Sequence, residues 1–200
     1  MGGSMKESHL ILSGVIALIL GIILVDSGFA REYKGVTFPD TDTIGGTTCK
    51  LNGIGLRIKK IVVVSINVYL GALYLEKPST AAADVISTDQ VKRVVLHFIY
   101  NNVGAKDLVN AWNEGFEKNA PAQKAALQDR INTFNGYFTE PVKSGEKIII
   151  TYIPGQGTEV SVKGKVKGVI QGKDFMEGLF SVWFGKNPPT EGLKKGMLGE

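Results

Sequence analysis

Cysteine is nearly absent. Cys49 stands alone in 200 residues, which excludes an internal disulfide and a thiolate-rich zinc site. Histidine is almost as scarce, at two. His9 precedes a long apolar run and His97 falls in a strand pattern, where it reads as structural, so the two make no metal pair. We expect no metal and no cofactor. No Gly-x-Ser-x-Gly elbow, His-Glu-x-x-His pair or Walker phosphate loop occurs. There is no internal repeat, no low-complexity segment and no linker that would divide the chain. Large basic patches are missing too. Lys163, Lys165, Lys167 and Lys173 are spaced out, and Lys59-Lys60 and Lys194-Lys195 are only pairs. A pI near 9.0 without clustered bases and interleaved aromatics argues against a nucleic-acid partner.

What the chain has is apolar mass and glycine. Hydrophobic residues make up 44%, enough for a sizeable core in one or at most two domains. Its 25 glycines, with no collagen-like period, point to many turns and strand bends. From Leu10 to Val25 the run LILSGVIALILGIILV carries no charge. Lys6 precedes it, and Ser27, Gly28 and Ala30 follow. These are the parts of an export signal cleaved after Ala30. The alternative is an N-terminal membrane anchor, for which sixteen residues are short. Residues 1–30 are therefore set apart from a domain at 31–200, which we expect in the periplasm or secreted, or else anchored to the inner membrane. Removing Lys6, Glu7 and Asp26 raises the formal charge from +4 to +5.

Within 31–200 the pattern is α+β. Gly35 to Phe38 reads as extended and leads into a turn at Pro39-Asp40. Thr47–Lys60 and Ile61–Glu76 read as consecutive strands, the second rich in β-branched residues. Strict alternation puts Val62, Val64, Ile66, Val68 and Leu70 on one face, with Ser65, Asn67 and Tyr69 on the other. A short helix at Thr80–Val85 and a strand at Val91–Tyr100 follow. Leu108, Trp112 and Phe116 recur at helical spacing over about 105–119, and Pro121 starts a second helix with Leu127, Ile131 and Phe134 inward. Lys147–Ile153 and Thr158–Val169 form a hairpin across Pro154–Gly157. Asp174 opens a last helix with Phe175, Leu179 and Val182-Trp183 inward, stopped by Gly185 and Pro188-Pro189. Hairpin-joined strands with consecutive helices imply an antiparallel sheet covered by helices.

The chemistry is concentrated in LNGIGLRIKK and the strand after it. If Lys59-Lys60 mark the turn, Arg57 shares a sheet face with Ser65, Asn67 and Tyr69. A guanidinium beside hydroxyls on a half-covered face suits a carboxylate or phenolate. An ordinary solvated sheet face is the alternative. Gly53-Ile54-Gly55 lacks the third glycine and the helix of a dinucleotide loop, and reads as a bend or a place of close approach.

The series GVTFPDT, LNGIGLRIKKIVVVSINVYLGALYLE and GKDFMEGLFSVWFGKNPPTEGLKKGMLG resembles the chalcone isomerase family, over essentially all of residues 33–199. The resemblance is nearest to bacterial chalcone-isomerase-like proteins with an export signal. It implies an open-faced β-sandwich, a large antiparallel sheet layered with helices. In the plant enzymes an arginine at the position of Arg57 stabilises a phenolate nucleophile. A threonine at the position of Ser65 helps to polarise the ketone through water. The family's catalytic tyrosine and asparagine fall at Asp107 and Glu114, with Asn113 one residue off, and its last ligand-binding threonine falls at Val182. Asp107 would oppose a phenolate, so flavonoid cyclisation is not expected. Other family members bind fatty acids without catalysis, holding the carboxylate with the arginine and a tyrosine. The resemblance thus implies a protein binding a small amphipathic carboxylate, and we expect a monomer. Arg57, Ser65, Asn67, Tyr69, Asn113 and Val182 would contact the ligand, and Phe175, Leu179 and Trp183 would line a tunnel. Arg57 with Ser65 would be catalytic only if the protein were an isomerase acting on another substrate.

Overall fold

The computed structural model describes residues 29–200; the apolar run at 10–25 lies outside the described residues. Nine strands and five helices follow in order. The strands are β1 (Ala30–Tyr33), β2 (Val36–Pro39), β3 (Thr41–Ile44), β4 (Thr47–Ile61), β5 (Val64–Leu75), β6 (Lys92–Phe98), β7 (Lys147–Ile153), β8 (Gly157–Val162) and β9 (Lys165–Ile170). The helices are α1 (Ala82–Ser87), α2 (Ala105–Asn119), α3 (Pro121–Asn135), α4 (Lys173–Phe184) and α5 (Glu191–Leu198). β3 to β9 form one antiparallel sheet in sequence order, and β1 pairs with β2 in a separate ribbon. Pairing begins at Ala30 with Pro39, while the Asp40 amide donates to Phe29 O.

One face of the sheet is covered by helices. Leu73, Leu75, Val94, Leu96 and Ile150 meet Leu108, Trp112 and Phe116 of α2, Leu127 and Ile131 of α3, and the buried α4. The period-2 pattern of the strands and the period-3.6 stripes of the helices bury against each other, which is what makes this an α+β, open-faced sandwich. The opposite face carries a smaller cluster around Phe38, Leu70, Ala72 and Tyr74, and leaves Ile54, Leu56 and Ile149 partly uncovered.

The structure corrects three local expectations and gives a fourth its cause. Lys59 and Lys60 are strand residues, paired with Ile66 and Ser65, and the turn lies at Val62-Val63. Thr158–Val169 is two strands, because Lys163 and Gly164 both take positive φ and turn the chain. Beyond Pro188-Pro189 the chain forms α5. The Gly53-Ile54-Gly55 bend exists for that helix. A Cβ on Gly53 or Gly55 would overlap the backbone of Gly196 or Leu193, and one on Gly71 would lie 2.9 Å from Met197 Sδ. Gly196 answers from the helix, with its Cβ position 2.5 Å from Ile54 O. Glycines on both sides thus let α5 rest directly on the backbone of β4.

Candidate functional site

A cleft of about 400 Å³ opens between the helix-covered face of the sheet and α2. Its floor comes from β4, β5 and β6. Arg57, Val68, Tyr69 and Phe98 lie there, and Leu108, Trp112 and Val182 close the apolar end. The mouth is charged, with Lys59 from β4 facing Asp107, Glu114 and Lys118 of α2. A volume of this order is at the small end for ligand sites, which combine an apolar lining with a few placed polar groups.

Arg57 is the guanidinium of the cleft lining. It is partly buried, its Nη1 donates to the carbonyl of Ile58, and it makes no ion pair among the described residues. Glu114 is engaged elsewhere. It bonds Lys118 one turn on at 2.5 Å, and that bond holds its carboxyl below the usual value, with a smaller contribution from Arg57 and Lys59. Tyr69 lies beside Arg57 at the sheet end of the cleft. Its hydroxyl accepts a hydrogen bond from Trp183 Nε1 at 3.2 Å, and its ring packs on Phe98 at 5.4 Å. Burial pushes its pKa up to about 12, against the smaller pulls of Trp183 and Arg57. At neutral pH it is therefore a phenol, able to donate. A guanidinium and a neutral phenol beside the apolar lining present donors for an anion, while Glu114 at the mouth is held by Lys118.

The other anticipated residues divide. Val182 lines the cleft, pressed so closely on α2 that a Cβ at Gly115 would come within 2.5 Å of its Cγ1. Ser65 and Asn67 do not join Arg57. The β4–β5 register shifts between Arg57 and Ile58, where Tyr69 pairs with Arg57 and Asn67 with Ile58, leaving Val68 as an extra residue. Cross-strand partners share a face. Asn67 and Ser65 therefore side with Ile58 and Lys60, while Val68, Ile66 and Val64 continue the face of Arg57 and Lys59. Asn113 turns to α3, where its Oδ1 accepts from Asn135 Nδ2 at 2.8 Å. Phe175, Leu179 and Trp183 are fully buried in the core and do not line the cleft.

Sequence reasoning missed Lys59, Val68, Phe98, Trp112 and Lys118 as lining residues. A signal was present on α2. Ala111, Glu114, Gly115 and Lys118 recur at i, i+3, i+4 and i+7, a second stripe beside the Leu108–Trp112–Phe116 core stripe. For Val68 no periodic signal exists, because a bulge breaks the period.

Comparison with known proteins places the chain in a family and a fold. A family model described as chalcone isomerase-like matches residues 30–199. Among curated proteins none matches significantly. Among solved structures, a fatty-acid binding protein of Arabidopsis thaliana superposes with a TM-score of 0.69 at 18% identity, over 85% of this chain and 96% of that one. At that identity the likeness speaks for the fold.

Proposed function

Since the chain belongs to the chalcone isomerase-like family, we propose that it binds a fatty acid or a similar amphipathic carboxylate in the cleft beneath α2, without catalysis. The observation that carries this reading is the guanidinium of Arg57, free of any ion pair among the described residues, beside the neutral Tyr69 phenol in a cleft of about 400 Å³ with an apolar end and a charged mouth. The fatty-acid binding protein of the same fold supports it as an analogy. In this reading Arg57 holds the carboxylate, Tyr69 donates a second bond, and the acyl chain lies along Val68, Phe98, Leu108 and Val182. Isomerisation of a phenolate has less support. Ser65, the hydroxyl it would use, faces away from Arg57, and Asp107 sits at the mouth.

The test is equilibrium binding of palmitate to the full, delipidated chain, with native mass spectrometry of the protein as purified. Arg57→Ala should weaken binding by tenfold to a hundredfold, the scale of charge-assisted hydrogen bonds at ~1.5–3 kcal/mol. Its melting temperature should stay nearly unchanged, because the side chain is partly exposed and makes no ion pair. An unaltered dissociation constant in Arg57→Ala would remove the carboxylate anchor. Turnover of a chalcone above the buffer rate would favour the isomerase instead.

A further inference from the structure

The β4–β5 hairpin outruns its sheet. β3 pairs with β4 only as far as Lys50, and β6 pairs with β5 only from Tyr69 onward. Residues 58–67 therefore form a two-stranded ribbon. At ~3.4 Å per residue it reaches roughly 13 Å past the last shared strand. At its end Ile61, Val62, Val63 and Val64 are 47%, 96%, 92% and 56% exposed. Single exposed aliphatic residues are ordinary, but four in succession on a protruding tip are not.

Two further observations bear on the tip. Val62 has φ +53°, the left-handed region that a β-branched side chain disfavours and that glycine would occupy freely. The turn thus keeps an aliphatic group at its most protruding point against its own backbone preference. Charge along the hairpin's own sequence is equally one-sided, with the nearest carboxylates, Asp107 and Glu114, supplied by α2 at the cleft mouth. Between Asp42 and Glu76 the chain has no acidic residue, while Lys50, Arg57, Lys59 and Lys60 all fall there.

We propose that this hairpin is a docking finger for an anionic lipid bilayer. The four aliphatic residues enter the headgroup–acyl boundary, and Lys59 and Lys60 meet the lipid phosphates. Lysine suits that position because its stem can lie along apolar surface while its ammonium stays at the headgroups. Among the described residues no helix is long and apolar enough to cross a membrane. A second copy of the chain is a poor occupant, since two tips meeting would bring four lysines together. The docked finger also points the cleft at the bilayer. Val64, Ile66 and Val68 make an aliphatic track on the face of Arg57 and Lys59, from the tip to the cleft floor. Docking rests on the hairpin alone; delivery of ligand along the track rests on the binding function proposed above.

The experiment places an environment-sensitive nitrobenzoxadiazole dye at Val63→Cys in the full chain. Cys49 is fully buried and its thiol pKa is pushed up to about 11 by burial, so it stays unlabelled in the native protein. The reference dye sits at Val166→Cys, 61% exposed on β9 at the far edge of the sheet. With vesicles of phosphatidylcholine and phosphatidylglycerol, emission at 63 should shift to the blue and rise several-fold while emission at 166 stays constant. That contrast holds however the rest of the chain reaches the membrane. Val62→Asp should abolish the shift, and Lys60→Gln should weaken vesicle affinity about fivefold, the share of one lysine near an anionic surface. A dye at 63 that remains in water on vesicle-bound protein overturns the proposal. So does a blue shift that grows with protein concentration in the absence of lipid, which would assign the tip to a second copy. Palmitate binding separates the two readings. Val62→Asp that binds palmitate normally yet ignores vesicles supports docking as a distinct property. Wild type that docks and ignores palmitate overturns only the binding function.

Discussion

Lys92 lies wholly inside the helix-covered face. Its Nζ donates to Val85 O at 2.6 Å and Thr88 O at 2.8 Å, and stands 5.5 Å from the centre of the Phe180 ring. The ammonium thereby satisfies carbonyls at the end of α1, which has no basic residue of its own in its last turn. Burial lowers its pKa to about 8, from an ordinary 10.5. Below pH 8 both the folded and unfolded chains hold the proton, and the fold bears the full desolvation penalty. Between about pH 8 and 10.5 the native chain gives up its proton first, so stability rises with pH in that window. The melting temperature of the wild type should climb by several degrees from pH 8 to 10, and Lys92→Met should lose that slope. Equal slopes in both proteins would mean that Lys92 does not titrate in the native state. Tyr69, Tyr74 and Tyr152 set the upper limit of the window, since burial keeps them neutral in the fold and their ionisation in the unfolded chain begins to oppose stability near pH 10.

At the scale of elements, the decisive contact is α5 on β4. Two stretches within the series that carry the family resemblance, around Gly53–Arg57 and Leu193–Gly199, are the two sides of this one interface. Asn52 strengthens it, with Nδ2 donating to Met197 O at 3.0 Å. Gly55→Ala should destabilise the protein by more than about 2 kcal/mol, as overpacking against backbone cannot relax through a rotamer. Gly192→Ala, on the same helix with open space around it, should be neutral or gain up to about 1 kcal/mol from helix propensity. Denaturant unfolding of the pair checks both. The α2, α3 and α4 stripes were legible in the sequence because each apolar stripe spans about two turns. Helix α5 was not, as its eight residues follow a Pro-Pro stop and hold only Leu193, Met197 and Leu198 as buried apolar residues. β1 and β3 were too short, at four residues each, to show alternation.

For the molecule as a whole, cleft and core are one construction. Tyr69, Phe98, Leu108, Trp112 and Val182 belong to the main apolar cluster and also line the cleft. A ligand there should stabilise the entire domain. At a hundredfold excess over its dissociation constant it should contribute about 2.7 kcal/mol, which at this chain length raises the melting temperature by roughly 5–10 °C. Thermal unfolding with and without palmitate tests this, and Arg57→Ala should show no rise. Arg57 and Tyr69 could be picked out from residue type together with the family resemblance. The full lining could not, because it is assembled from three strands, two helices and two loops whose convergence is a property of the folded chain.

The extra residue at Val68 has a bearing on how relatives of this protein should be compared. Letter by letter, the hydroxyl at Ser65 looks like a retained reactive group. In space, the phase slip at Val68 has rotated it to the other side of the sheet and laid alkyl groups beside the arginine in its place. Two homologues with the same composition in this ribbon, one with the slip and one without, would present opposite surfaces to whatever enters. Strand phase therefore has to be established before identity at positions 58–67 can be taken as shared chemistry.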